Sequence, residues 1–254
     1  MRTPTRGRER SPWLPYRKEN PEARLRLFCF PFAGSGASSF LSWNQHLPAT
    51  VEVCGVQPPG REKRMGETAF SHMDDLVSAT LAGLEGLFDK PFALFGHSMG
   101  ANVVFAVAHA LEARGLRPRH VIPSGRPGPH CTHAPTALHT LPDDELVDRL
   151  SHLGGTPPDF LSNPALMSAL MPCVRADLAL TESYLASPET VLTCPLTAMG
   201  GDSDPLFPSD YLQSWSTATT GLFAVRPFPG GHFYYSAEGL PAVDAVADIL
   251  QPYL

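Results

Sequence analysis

A serine hydroxyl lies between two glycines in the stretch Gly96 to Gly100 (GHSMG), where one apolar run ends and an alanine-rich one begins. The pattern G-x-S-x-G is typical of a sharp strand-to-helix turn that presents a nucleophilic serine. Glycines two residues before and after the serine allow the strand and the helix to approach closely. A purely structural turn would suit Asn or Asp better than Met. The pattern predicts that Ser98 is a nucleophile, and the alternative is a tight structural connection.

A serine nucleophile needs a base within hydrogen-bond reach, and the chain order expected for this turn is serine, acid, histidine. Of the ten histidines, His232 is the one that follows the last predicted strands, so it is the candidate base. The acid is expected in GDSDP, which follows another predicted strand and offers Asp202 and Asp204. We favour Asp204, because Pro205 stiffens its loop, and expect Asp202 to hydrogen-bond within that loop. Asp204 would then hold the His232 tautomer.

Two backbone N–H groups are candidates for stabilising a negatively charged oxygen in the reaction. The N–H of Met99 opens the helix after the nucleophile, where the positive end of the helix dipole favours an anion. The second donor is expected in the loop PFAGSGASSF after the first strand. We choose Ala33 for it, with Phe32 as the alternative donor and a plain glycine turn as the alternative structure.

Strands and helices are predicted to alternate along the chain, which indicates a mostly parallel central sheet with helices on both faces. Together with the serine turn, this alternation predicts an α/β-hydrolase fold, in which the loops after the strands meet at one edge. Residues 1–22 are predicted to be a flexible basic arm, and residues 23–254 a single domain. From about 127 to 193 no strand is evident, and helical segments predict a lid over the ligand edge. The alternative is an ordinary helical subdomain. The predicted strands are RLRLFCF, VEVCG, PFALFG, HVIPSG, PLTAMGG and LFAVRPF.

Composition excludes several classes of function. The 254 residues carry a formal charge of −6 with no long basic stripe, so nucleic acid is not an expected partner. No apolar run reaches the ~20 residues that a membrane span needs, and no secretory signal is evident. Five widely spaced cysteines indicate free thiols in the cytoplasm. No metal is expected: His130, Cys131, His133 and His139 lie close together, but the sequence lacks a second cysteine pair and any H-E-x-x-H motif.

Six blocks together resemble the type II thioesterases that accompany polyketide synthases and nonribosomal peptide synthetases. The similarity runs from about residue 24 to the C-terminus, and PGRE and GGHFYY are the most specific of its motifs. The family implies hydrolysis of acyl groups from the phosphopantetheine arm of carrier proteins, which clears stalled or misprimed chains. Its nucleophile, acid and base fall on Ser98, Asp204 and His232, and its oxyanion donors on Ala33 and Met99. The blocks are FCFPFAGSGASSF, VQPPGREKRMGE, FGHSMGANVVFAVAHALE, PSGRPGP, GDSDP and GGHFYY.

The resemblance also implies partners. Acyl or peptidyl carrier domains are expected to dock, small acyl thioesters to serve as substrates, and no cofactor to be bound apart from the phosphopantetheine of the substrate. Carrier domains are usually acidic, so Arg61, Lys63 and Arg64 are candidate docking residues, with a solvated loop as the alternative. Two rival functions remain open, a carboxylesterase or lipase acting on oxygen esters and a non-catalytic hydrolase-like binding protein.

Overall fold

Six parallel strands form one sheet at the centre of the computed structural model, which describes residues 11–132, 137–155, 163–207, 209–236 and 241–254. The strands are β1 (Leu25–Phe30), β2 (Val51–Gly55), β3 (Phe92–His97), β4 (Val121–Ser124), β5 (Leu196–Gly201) and β6 (Phe223–Phe228). Their order is β2-β1-β3-β4-β5-β6, and each neighbouring pair is parallel. The predicted mostly parallel α/β sheet is therefore confirmed, and its carboxyl ends share one edge.

Helices cover both faces of the sheet. The α-helices among the described residues are α1 (Met73–Gly83), α2 (Met99–Glu112), α3 (Asp143–Leu153), α4 (Pro164–Ser183) and α5 (Pro241–Leu250). Short 3₁₀ segments are Ala37–Gln45, Glu62–Arg64, Leu138–Thr140, Ser209–Ala218, Tyr234–Ser236 and Gln251–Tyr253. Helices α1 and α2 pack on one face, whereas α5 packs on the other. The side chains of β1 alternate between the two cores, as the two-residue period of a strand requires.

Helix α2 begins directly after Ser98 and is buried over most of its length. Ten of its 14 residues are buried, among them Val103, Val104 and Phe105. The small residues Gly100 and Ala101 let its first turn lie close to the sheet. This burial fixes the helix against the sheet, so the start of α2 has a defined position at the carboxyl edge.

The prediction of a flexible arm over residues 1–22 is wrong for residues 11–22. Trp13 and Leu14 are 7% and 2% exposed and belong to the core beside α1 and α2. The carbonyl of Trp13 accepts a hydrogen bond from the Gln57 N–H at 2.8 Å, and Arg17 Nε lies 2.5 Å from Glu52 Oε1. Two apolar side chains are too few to give a periodic pattern, but they bury enough surface to hold the segment. The remainder of the predicted arm, residues 1–10, lies outside the described residues.

The predicted lid of about 127–193 contains α3 and α4, and residues 133–136 and 156–162 lie outside the described residues. The two helices share a small apolar core with the loop after β1, where Ala33 packs against it. Its buried members are Leu146, Met167, Met171, Val174 and Leu178. This placement brings the helices over the carboxyl edge of the sheet.

Membrane and thiol features can be stated briefly. Of the helices in the described ranges, none is long and apolar enough to cross a bilayer. All five cysteines are free thiols; Cys131 is partly exposed, and the other four are buried.

Candidate active site

Ser98 occupies a strained turn between β3 and α2, with φ 54° and ψ −115°. Within the described residues, Glu62 is the one other non-glycine residue with a positive φ. Such a conformation costs roughly 1–3 kcal/mol and persists only where the surroundings hold it. The Ser98 N–H donates to the Ser124 carbonyl at 2.8 Å, and the Ser98 carbonyl accepts from the Ala101 N–H at 3.0 Å. Ser98 therefore has the backbone geometry that the sequence predicts for a nucleophile.

The two glycines of the turn provide the space that this geometry needs. A Cβ atom at Gly96 would overlap the carbonyl oxygen of Gly100. A Cβ atom at Gly100 would overlap the carbonyl oxygen of Phe30 in β1. The close approach of strand and helix predicted from the sequence is therefore present.

Gly96→Ala is expected to lower the free energy of unfolding by at least about 1–3 kcal/mol, because its methyl group meets backbone that cannot rotate away. Urea denaturation of the two proteins measures the difference. Gly66→Ala is the matched control: open space surrounds Gly66, and its φ is not positive, so we expect a change within about 0.5 kcal/mol. Equal losses in both variants would contradict the packing argument.

The structure joins His232 to Asp204. His232 Nδ1 and Asp204 Oδ2 lie 2.7 Å apart, and both side chains are almost wholly buried. The other carboxylate oxygen, Oδ1, accepts from the N–H groups of Leu206 at 2.8 Å and Phe207 at 3.2 Å. Because both oxygens are engaged, the carboxylate is fixed in the orientation that holds the imidazole. This arrangement leaves Nε2 of His232 as the nitrogen that can act as a base.

Asp202, the alternative acid, is exposed and faces its own loop. Its Oδ1 accepts hydrogen bonds from the Gly230 N–H at 3.1 Å and the Ser203 hydroxyl at 2.9 Å. The sequence expectation for Asp202, a local turn contact, matches this position. The structure thus brings Asp204, and not Asp202, to His232.

Ser98 and His232 line one cavity of about 700 Å³ at the carboxyl edge of the sheet. Its walls are largely apolar and come from the loops after the strands, from α3 and from α4. Leu138, Leu150, Leu153, Leu178 and Leu206 are among the lining side chains. A volume of this size accommodates a small organic ligand, and apolar walls favour an alkyl chain.

Both candidates for the second oxyanion donor, Ala33 and Phe32, line the same cavity. The loop that carries them is tied down at the next residue, since the Gly34 N–H donates to Asp177 Oδ2 at 2.7 Å. Met99, the other candidate donor, is the first residue of α2 and is buried. The loop after β1 thus lines the same cavity as Ser98, and Met99 directly follows Ser98 in the chain.

Arg61 and Asp177 form a buried ion pair that the spacing of residues along the chain does not predict. Arg61 Nη1 and Nη2 lie 2.5 and 2.9 Å from the two oxygens of Asp177, which is on α4. Arg61 also donates to the carbonyls of Pro59 and Ser35. The pair therefore links the PGRE loop, α4 and the loop that carries Ala33. An aspartate on the apolar face of the helical segment "MPCVRADLALT" was the available signal.

The prediction that Arg61, Lys63 and Arg64 are docking residues is wrong for Arg61, because Arg61 is buried in this ion pair. Arg61 is 1% exposed, so it cannot present its charge to a partner. Arg64 stacks over the Trp13 ring at 4.6 Å and donates to Glu67 and to the Gln57 carbonyl. Of the three candidates, Lys63 is the exposed residue.

His97, the residue before Ser98, packs beside the candidate base. Its ring centroid lies 4.9 Å from that of His232, and its Nδ1 lies 2.9 Å from the Ser124 hydroxyl. Burial holds the pKa of His97 well below its ordinary value, and the neighbouring charge of His232 lowers it further. His97 is therefore neutral at neutral pH and adds no positive charge next to His232.

The chain is similar to known proteins over most of its length. The family model for the thioesterase domain matches residues 25–253. The gramicidin S biosynthesis protein GrsT of Aneurinibacillus migulanus is 37% identical over 223 residues, covering 87% of each chain. Thioesterase PikA5 of Streptomyces venezuelae is 35% identical over 241 residues, covering 94% of this chain and 85% of PikA5.

Solved structures of thioesterases have a similar fold. RedJ, a thioesterase from the prodiginine biosynthetic pathway in Streptomyces coelicolor, has a TM-score of 0.82 and 37% identity, covering 97% of this chain and 94% of RedJ. The type II thioesterase BorB from the borrelidin biosynthetic cluster has a TM-score of 0.83 and 34% identity, covering 94% of this chain and 95% of BorB. The sheet and its helices therefore have the same arrangement in these structures.

Proposed function

Because the chain belongs to the thioesterase family, we propose that it hydrolyses acyl thioesters held on the phosphopantetheine arm of carrier proteins. The relatives named for gramicidin S and prodiginine biosynthesis support acyl or peptidyl carriers of a polyketide or nonribosomal peptide assembly line. In that setting the enzyme clears stalled or misprimed acyl groups. The phosphopantetheine belongs to the substrate, and the proposed reaction needs no cofactor of its own.

The observation that carries this proposal is the convergence of a strained serine and a carboxylate-held imidazole on one apolar cavity. Ser98 and His232 both line that cavity, and the Asp204 carboxylate is hydrogen-bonded to Nδ1 of His232. We assign the nucleophile to Ser98, the base to His232 and the orienting acid to Asp204. Acyl transfer through a covalent intermediate requires a nucleophilic hydroxyl, a base that takes its proton and a carboxylate that orients the base.

The reaction has two halves. In the first, Nε2 of His232 takes the proton of Ser98 as the hydroxyl oxygen attacks the thioester carbonyl, and the thiol of the phosphopantetheine arm leaves. Thiols have a pKa near ~8.5, so this leaving group needs less protonation than an amine does. In the second half, His232 activates a water that hydrolyses the acyl-serine. The N–H groups of Met99 and Ala33 are the proposed donors to the oxyanion in both halves.

We place this activity in the cytoplasm. The five free cysteines support a reducing compartment.

Hydrolysis of matched substrates tests the proposed function. The same acyl group would be offered on a carrier protein, on N-acetylcysteamine and as a p-nitrophenyl ester. We expect kcat/KM for the carrier thioester to exceed that for the oxygen ester by about tenfold or more after correction for the uncatalysed rates. The reverse preference would favour a carboxylesterase. Failure of a fluorophosphonate probe to label Ser98, with no hydrolysis of any substrate, would favour a binding protein.

A further inference from the structure

Arg126 is a buried cation in the wall of the cavity that holds Ser98 and His232. It stands two residues beyond the end of β4 and is 7% exposed. Its backbone is fixed independently of its side chain. The carbonyl of Arg126 accepts from Trp215 Nε1 at 2.7 Å, and the preceding Gly125 N–H donates to the Met199 carbonyl at 2.8 Å. The fold therefore fixes the backbone from which the Arg126 side chain extends at the cavity wall.

The guanidinium has few partners for a buried charge. Its Nη2 donates to the Thr181 carbonyl at 3.0 Å, and its carbon lies 5.5 Å from the centroid of the Phe207 ring. Its Nε has no hydrogen-bond partner among the described residues, and in those ranges Arg126 forms no ion pair. Glu182 is the carboxylate whose negative charge acts on Arg126. Its oxygens accept hydrogen bonds from Leu138 and His139 instead of pairing with the guanidinium.

A buried cation without an anion is energetically unfavourable, because desolvation is not repaid by pairing. Burial lowers the pKa of Arg126 to about 10, so the group still carries its charge at neutral pH. The other buried arginine near the cavity, Arg61, has a bidentate carboxylate partner in Asp177. Among the described residues Arg126 has no such bidentate partner, and it lines the cavity, which indicates that the partner arrives with the ligand.

We propose that Arg126 binds an oxygen acceptor on the acyl chain, beyond the thioester carbonyl, and so selects oxygenated acyl groups such as 3-oxoacyl or carboxyacyl chains. This inference rests on the proposed thioesterase function and names the substrate class of the same site. A carbonyl or carboxylate oxygen supplies the hydrogen-bond acceptor that the guanidinium lacks. A purely alkyl chain would leave the cation unsatisfied.

Ser98 and Arg126 line the same cavity, and the end of β4 connects them. Arg126 is two residues from Ser124, whose carbonyl accepts from the Ser98 N–H at 2.8 Å. An acyl group attached to Ser98 therefore lies in the cavity whose wall contains Arg126, and an oxygen on that chain is the ligand that the proposal assigns to the guanidinium.

The test compares N-acetylcysteamine thioesters of equal chain length: butanoyl, 3-oxobutanoyl and succinyl. Thiol release gives kcat/KM for each, and the ratio of each oxygenated substrate to butanoyl measures selectivity. Intrinsic differences in thioester reactivity cancel when the ratios of wild type and variant are compared. We expect Arg126→Met to lower the ratio by about tenfold or more for 3-oxobutanoyl, for succinyl or for both, because a charge-assisted hydrogen bond is lost. The two oxygenated substrates distinguish a carbonyl from a carboxylate ligand.

Arg114→Met is the matched control, since Arg114 is exposed, follows the end of α2 and is not among the residues that line the cavity. We expect its ratios to match those of the wild type. If Arg126→Met does not fold, Arg126→Lys keeps the charge but loses the planar fork, and we expect a ratio lowered by about threefold or more. Unchanged ratios in a folded Arg126 variant, with an active wild type, would overturn this inference alone. A wild type that hydrolyses no thioester would overturn it together with the proposed function.

Discussion

Ser98→Ala is expected to lower kcat for thioester hydrolysis by about 10⁴-fold to 10⁶-fold and to abolish labelling by a fluorophosphonate. The methyl group keeps the turn between β3 and α2 but has no oxygen to accept the acyl group. Loss of a serine nucleophile has an effect of this order in other hydrolases, because His232 and Asp204 cannot act without it. Thiol release from an acyl carrier protein measures the change.

The control for Ser98→Ala is Ser203→Ala. The Ser203 hydroxyl is exposed and donates to Asp202 rather than to the Asp204–His232 pair. Its loss should change kcat by less than about twofold. Both variants should unfold at temperatures close to that of the wild type, since neither removes a buried contact. A Ser98→Ala protein that retained more than a tenth of the activity would exclude Ser98 as the nucleophile.

Asp204→Asn is expected to lower kcat by about 10²-fold to 10⁴-fold while the fold is kept. An amide in place of the carboxylate can present an N–H to Nδ1 of His232, which moves the ring proton to Nε2. In that tautomer Nε2 cannot take the proton of Ser98. The amide also carries no negative charge to stabilise the imidazolium that forms in the reaction.

Asp202→Asn is the matched control, because it makes the same chemical change two residues away. The amide oxygen can still accept from the Gly230 N–H and the Ser203 hydroxyl, so we expect kcat within about threefold of the wild type. Steady-state kinetics of both variants, with thermal unfolding to verify the fold, decide between the two carboxylates. A larger loss in Asp202→Asn than in Asp204→Asn would contradict the assignment.

The catalytic candidates could be predicted from the sequence because each is carried by a local pattern. Ser98 stands in a five-residue motif whose glycines have a steric reason, and the structure shows that reason at Gly96 and Gly100. His232 and Asp204 follow predicted strands, and the carboxyl ends of parallel strands meet at one edge. Alternation within the strands and apolar spacing within α2 are likewise local signals.

The structural role of Arg61 could not be predicted in this way. Its charge and its surroundings in PGREKR suggested an exposed docking residue. Its carboxylate partner, Asp177, is 116 residues away on α4. The chain around Trp13 and Leu14 was misjudged for a similar reason, since its contacts are with β2, α1 and α2.

Sequence alone thus predicted the order of strands and helices and the serine turn, and it selected as candidate base and acid two residues that the structure joins. These depend on residue types within a few positions of one another and on the rule that parallel strands end at the same edge. Only the tertiary structure decided that Arg61 is paired and buried, that residues 11–22 are packed, and that Arg126 lines the cavity with no ion pair among the described residues. The cost of burying a charge depends on which groups surround it, and those groups come from distant parts of the chain.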